Sequence, residues 1–283
     1  MQTPRTLKNL FARLAALLGW NRSSYALMSL AAAAVGLVIA VWWPLVVDYF
    51  ATADPRYPLW TQLDWLLLGI FAGMSLLIMS GADLRHDARV ALVGLAGGLV
   101  IESWGTQSLL WRYYTAERPP LWIIPAWPIA SLAIDRLVRI ADRHLPRGGG
   151  SAYQRIYWLV FTAFLALMGI FVWPTLDKSL TWMALAACLL LIFTPCDRRL
   201  AVLTFAAGAA LGYFLEVWGT TRACWTYYTL QTPPLFAVLA HGLAAFAFWR
   251  ARILLGAAAS RALARFAGPR SLILPGKDSQ PTV

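Results

Sequence analysis

Long runs of apolar residues, broken only where charges or prolines cluster, dominate this chain. The runs predict eight helices, at about 25–49, 60–80, 88–105, 119–140, 156–174, 179–195, 199–219 and 233–254. Crossing a hydrocarbon layer ~30 Å thick takes ~20 residues of α-helix, so each run is of spanning length. Other stretches differ. Within residues 3–18, Leu7, Leu10, Phe11, Leu14, Leu17 and Leu18 recur at helical spacing beside Arg5, Lys8 and Arg13, the pattern of a helix lying among lipid headgroups. Gly148-Gly149-Gly150-Ser151 marks a flexible joint, and the tail from about 270 is too polar to pack. The predicted division is an amphipathic segment 1–24, a four-helix unit 25–146, a linker 147–155, a second four-helix unit 156–255 and a basic, polar tail 256–283.

Composition agrees. Of the 283 residues, 60% are hydrophobic and 13% charged, with a mean hydropathy of +0.61. Soluble domains average about 45–50% and ~25%. The expected class is therefore all-α, a polytopic membrane protein. A net charge of +11 would suit nucleic acid, but its placement argues against that partner. With the N-terminus inside, 19 of the 24 Lys and Arg fall on one face, and 5 (Arg56, Arg112, Arg118, Lys178, Arg222) on the other. Such a bias puts both termini in the cytoplasm of a bacterial-type inner membrane, with the charge against anionic lipid headgroups. Residues 1–21 lack the short apolar core and small-residue site of a cleaved signal peptide, so none is expected. Cys188, Cys196 and Cys224 fall within a span and at opposite faces, which predicts neither a disulfide nor a metal site.

The spans hide a repeat. Residues 102–121 and 216–235 are identical at eleven of twenty positions, without a gap, at an offset of 216 − 102 = 114. The shared residues are an acid, Trp, Gly, Thr, Tyr-Tyr and Pro-Pro rather than generic apolar filler. Asp83 and Arg85 match Asp197 and Arg199 at the same offset, and Trp43-Pro44 and Trp173-Pro174 end the first and fifth predicted helices. Four helices per unit make the two repeats parallel. Loop 48–59 has no counterpart of equal length.

Glycines precede each acid, as Gly94-x-x-x-Gly98-x-x-x-Glu102 and Gly208-x-x-x-Gly212-x-x-x-Glu216. Residues four apart share a helix face, and small ones allow close helix approach in lipid. Both glutamates should therefore point into the bundle, near the outer membrane face, across a shared cavity. An intramembrane acid is costly unless it is paired. Thr106, Thr220, Tyr113, Tyr114, Tyr227 and Tyr228 offer hydroxyl partners, and Trp104, Trp111, Trp218 and Trp225 offer ring faces that grip an apolar chain or a cation. His241 is a histidine within a span, and its counterpart is Trp127 (241 − 114), so the halves differ chemically there. The candidate catalytic residues are Glu102, Glu216 and His241; the other residues just named, with Trp127, are candidate substrate contacts. Plain structural roles remain open: interfacial aromatics, glutamates locking helices together, a packed histidine. Pro119-Pro120 and Pro233-Pro234 read as helix starts, Asp64 as a cap, and Asp135-Arg136 as a local ion pair.

No phosphate-binding loop, dinucleotide fingerprint, zinc motif or serine-nucleophile elbow is present, so no cofactor and no metal is expected. The pattern Glu-x-x-Gly-Thr, then Trp, Tyr-Tyr and Pro, within Gly94–Pro125 and Gly208–Leu239, resembles the repeated unit of membrane carotenoid-biosynthesis proteins, the carotenoid hydratases and small lycopene cyclase domains. That resemblance implies an all-helical fold and cofactor-free protonation of a polyene, followed by water addition or ring closure. It points to Glu102, Gly105, Thr106 and Tyr114, with Glu216, Gly219, Thr220 and Tyr228. The acid pair that follows the motif in the cyclases is replaced by Pro125-Ala126-Trp127-Pro128 and by Ala240-His241, and four helices per half depart from their three. The expected function is binding or converting an isoprenoid or lipid-like molecule, with membrane lipids and an apolar small molecule as partners. A proton- or cation-coupled transporter and a structural or assembly subunit remain alternatives, and the sequence names no protein partner.

Overall fold

A computed structural model of the chain describes residues 12–13, 15–16, 19–147 and 150–266, the last four by backbone alone. Most of the amphipathic stretch 3–18, Gly148-Gly149 and the polar tail lie outside the described residues. The described chain is helical: α1 Arg22–Val41, α2 Trp43–Ala51, α3 Trp65–Met79, α4 Leu84–Gln107, α5 Ala126–His144, α6 Gly150–Val172, α7 Ser179–Phe193, α8 Arg198–Thr221 and α9 Leu235–Phe266. Two three-residue strands, β1 Trp111–Tyr113 and β2 Trp225–Tyr227, complete it. Among the described residues, five helices (α1, α4, α6, α8, α9) are long and apolar enough to cross a membrane, and α3 and α7 are shorter apolar helices.

Local chemistry sets the ends. Asn21, Asp64, Asp83 and Asp197 cap α1, α3, α4 and α8 by accepting backbone N–H bonds. Pro44 sits in the first turn of α2, so Trp43-Pro44 restarts a helix after a one-residue break at Trp42 instead of ending one. The expected helix 119–140 begins only at Ala126, because Leu121–Pro125 forms turns after the proline pair. In the second half α9 follows Pro233-Pro234 directly. The expected linker is shortened too, since α6 starts at Gly150.

α4 packs on α5 and α8 on α9, while α5 crosses to α8 and α4 to α9. Gly94 and Gly98 of α4 and Gly208 and Gly212 of α8 thus face the next helix of their own half, not each other: a Cβ at Gly94 would meet Ser131, and one at Gly208 would meet Ala245. An aromatic core joins α6, α8 and α9, with Phe161 4.7 Å from Phe246 and 5.1 Å from Phe205 between ring centroids. In lipid such contacts stabilise by packing instead of by release of water. At the charged end Arg136 bonds Asp87 and Asp135, and Arg199 pairs with Asp142.

Candidate functional site

The site is built where α4 and α8 end. β1 and β2 pair antiparallel, Trp111 opposite Tyr227 and Tyr113 opposite Trp225. Side chains two apart on a strand share a face, so Trp111 and Tyr113 both turn toward α4, and Trp225 and Tyr227 toward α8. Trp111 Nε1 donates to Glu102 Oε2 at 3.0 Å and Tyr113 Oη to Oε1 at 2.9 Å. Trp225 Nε1 donates to Glu216 Oε2 at 2.9 Å and Tyr227 Oη to Oε1 at 2.8 Å. Gly105 and Gly219 make room for this: a Cβ at either would run into the indole of Trp111 or Trp225. Burial, then the neighbouring glutamate, pushes both phenols well above their ordinary range, so they remain donors.

The third partner separates the halves. Trp127 Nε1 donates to Glu102 Oε1 at 3.2 Å, and His241 Nε2 bonds Glu216 Oε1 at 2.9 Å. The two rings stack at 5.8 Å, 18° from parallel, linking one carboxylate to the other through Trp127 and His241. Their seats are glycines: a Cβ at Gly98 would overlap Trp127 and one at Gly212 would overlap His241. Each glutamate is bonded within its own half and 3% exposed, yet both line one cavity of about 650 Å³. Glu102, Trp104, Trp111, Tyr113, Trp127, Glu216, Trp225, Tyr227 and His241 form its polar and aromatic part. Ala96 and Val100 of α4, Ala184 and Cys188 of α7 and Ala247 and Ala251 of α9 continue it as an apolar slot. The α7 contribution is missed by the sequence reading; its only trace is the small residues Ala184, Ala187 and Cys188 along one helix.

Five expected contacts sit elsewhere. Thr106 and Thr220 bond back to the carbonyls of Glu102 and Glu216, at 2.6 and 2.5 Å, because a helical threonine reaches the carbonyl four residues earlier. Tyr114 and Tyr228 point away from their strand neighbours and donate to the carbonyls of Val41 and Phe171, near the ends of α1 and α6. Trp218 stacks on Trp42 at 5.0 Å and donates to Asp64 at 2.8 Å, tying α8 to the cap of α3.

Asp135 does pair with Arg136, and His86 joins it at 3.1 Å. His86, Asp87 and Asp135 cluster closely enough to ligate a metal. Arg136 lies on both carboxylates and Arg139 on one, which takes up the negative charge a cation would need. No protein-family model, curated protein or solved structure matches this chain.

Proposed function

We propose that this is a multi-pass membrane protein that takes an apolar, isoprenoid- or lipid-like molecule into the cavity and acts on it by acid–base chemistry, without a cofactor. The observation that carries this reading is the pair of carboxylates, Glu102 and Glu216, each with three side-chain hydrogen-bond partners, heading one apolar slot of about 650 Å³. A hydrocarbon with double bonds offers no polar handle, so protonation of a double bond is the acid–base step open to it. That step needs a proton donor, and then a fixed anion and ring faces for the cation it creates.

The two halves divide these tasks. An indole N–H only donates. Both oxygens of Glu102 face an indole and Oε1 also meets the Tyr113 hydroxyl, so in this proposal Glu102 is the group set to stabilise the cation. Oε1 of Glu216 faces Tyr227 and His241, which accept as well as donate, so a proton fits between Glu216 and His241. The proton would pass from this pair to a double-bond carbon, and the resulting cation, near Glu102 and the rings, would end by adding water or losing a proton. The cyclase acid pair is missing, so ring closure is not part of the proposal. The seven apolar helices together with α5 would make eight spans in two parallel four-helix repeats, supported by α3 and α7, α4 and α8, and β1 and β2, which all match at an offset of 114. The 19-to-5 charge split favours cytoplasmic termini and a site near the outer face.

Expression of wild type, Glu102→Gln and Glu216→Gln, with analysis of extracted lipids and pigments, tests the reading. Both variants are expected to lose at least 100-fold in product. Folded variants with an unchanged profile would remove the catalytic role. One observation favours a coupled transporter: a second cavity, of about 50 Å³, toward the opposite end of the same helices, has Ser131, Asp135, Thr204 and Arg252 among a mainly apolar lining. Under that reading a pH gradient drives substrate flux in liposomes and Glu216→Gln abolishes it; under ours no flux is coupled to the gradient.

A further inference from the structure

One arginine is duplicated without its counter-ions. Arg136 on α5 and Arg250 on α9 match at 250 − 136 = 114 and are 3% and 7% exposed. Arg136 is fully partnered: Nη2 donates to Asp87 at 2.7 Å, Nη1 to Asp135 at 2.9 Å and Nε to the Ser80 carbonyl at 2.8 Å. The matching residues of the second half are Ala201, Trp249 and Thr194. Both carboxylates are gone and only the third position retains a partner, with Arg250 Nη2 donating to Thr194 Oγ1 at 3.1 Å. Among the described residues Nε of Arg250 is enclosed without a hydrogen-bond partner, and no carboxylate lies within ion-pair distance of the side chain.

A guanidinium cannot shed its proton, so Arg250 is a buried cation without an anion. A second cation follows its partner, Thr194, in the chain. Arg198, which starts α8 four residues after Thr194, lies 3.9 Å over the ring of Tyr157 and 5.1 Å from that of Trp158, also without a described carboxylate. An uncompensated buried charge is strongly unfavourable, and the planar fork of arginine matches the oxygens of a phosphate. We infer that Arg250, Thr194 and Arg198 bind the phosphate of an anionic phospholipid at the corner between α7 and α8. The exposed apolar residues flanking this corner select a lipid over a free phosphate: Leu190 and Phe193 of α7 and Leu159 of α6 are 67%, 61% and 72% exposed, where acyl chains would lie. The first half closes the same position internally with Asp87.

Native mass spectrometry of the delipidated protein in mild detergent tests this, titrating phosphatidylglycerol against phosphatidylcholine of equal chain length. Wild type is expected to prefer phosphatidylglycerol at least 10-fold for one site. Arg250→Gln removes that preference. Ala201→Asp, which restores the carboxylate held at Asp87 in the first half, removes it while keeping the melting temperature, so the test stands even if Arg250→Gln does not fold. A wild type without preference, or a preference that survives Ala201→Asp, overturns the proposal. Inorganic phosphate in millimolar excess is expected not to displace the lipid; displacement would assign the site to a free phosphate and overturn the lipid assignment.

Discussion

His241 and Trp127 hold equivalent places, stacked on each other and each bonded to its own glutamate, yet only the imidazole can pass a proton. Residue 241 therefore tests the proposed division of labour. His241→Trp would copy the first half, with a donor kept on Glu216 and the ring seated on Gly212 as Trp127 is seated on Gly98. The expected result is loss of at least 100-fold in product formation, with a melting temperature within a few degrees of wild type. Full activity in this variant excludes the imidazole from the proton route. The pairing of 127 with 241 was legible from the offset alone. The distribution of the aromatic residues was not: strand alternation sends Tyr113 and Tyr227 inward and Tyr114 and Tyr228 to helix ends, and a three-residue strand is too short to read from a sequence.

At the scale of elements, capping fixes where the glutamate helices begin, and hence the height of the acids. Asp83 accepts the backbone N–H groups of Arg85 and His86 at 2.9 and 3.3 Å. Those bonds, that of His86 first, hold its carboxyl below the ordinary value of 3.8. A folded-state value that is lowered stabilises above the unfolded one, and the effect is lost as pH falls through the lowered value. Asp83→Ala is expected to lower the melting temperature in detergent by a few degrees at pH 7. The gap to wild type should close as the pH is taken below 3.8; a gap constant with pH would deny the cap its charge. Proline shows the limits of reading elements locally. One Pro-Pro pair leads straight into α9, whereas the other is followed by turns before α5, because Pro125 and Pro128 also lie in that half.

For the whole molecule, the proposed orientation has a direct check. Cys224 is a poor reporter: it is 2% exposed, and burial pushes its thiol up to about 12. Exposed positions Gln231 and Ser151 are better placed. In a cysteine-free background, Gln231→Cys is expected to react with an impermeant maleimide added outside whole cells, and Ser151→Cys only after permeabilisation. The reverse pattern would invert the protein and move the glutamates to the cytoplasmic side.

The apolar runs, the charge bias and the 114-residue repeat are properties of the order of residues, so the sequence by itself determined a helical, membrane-type chain with two matched acids. It also placed the cap at Asp64, which depends on neighbours a few residues apart, but not those at Asn21, Asp83 and Asp197. Only the tertiary structure decided that the glycines seat Trp127 and His241 instead of joining α4 to α8. It alone brought the two strands together, set α7 against the slot, and buried Arg250 with its Nε unpartnered among the described residues. These features depend on which helix faces cross and on partners far along the chain, and local periodicity carries no record of them.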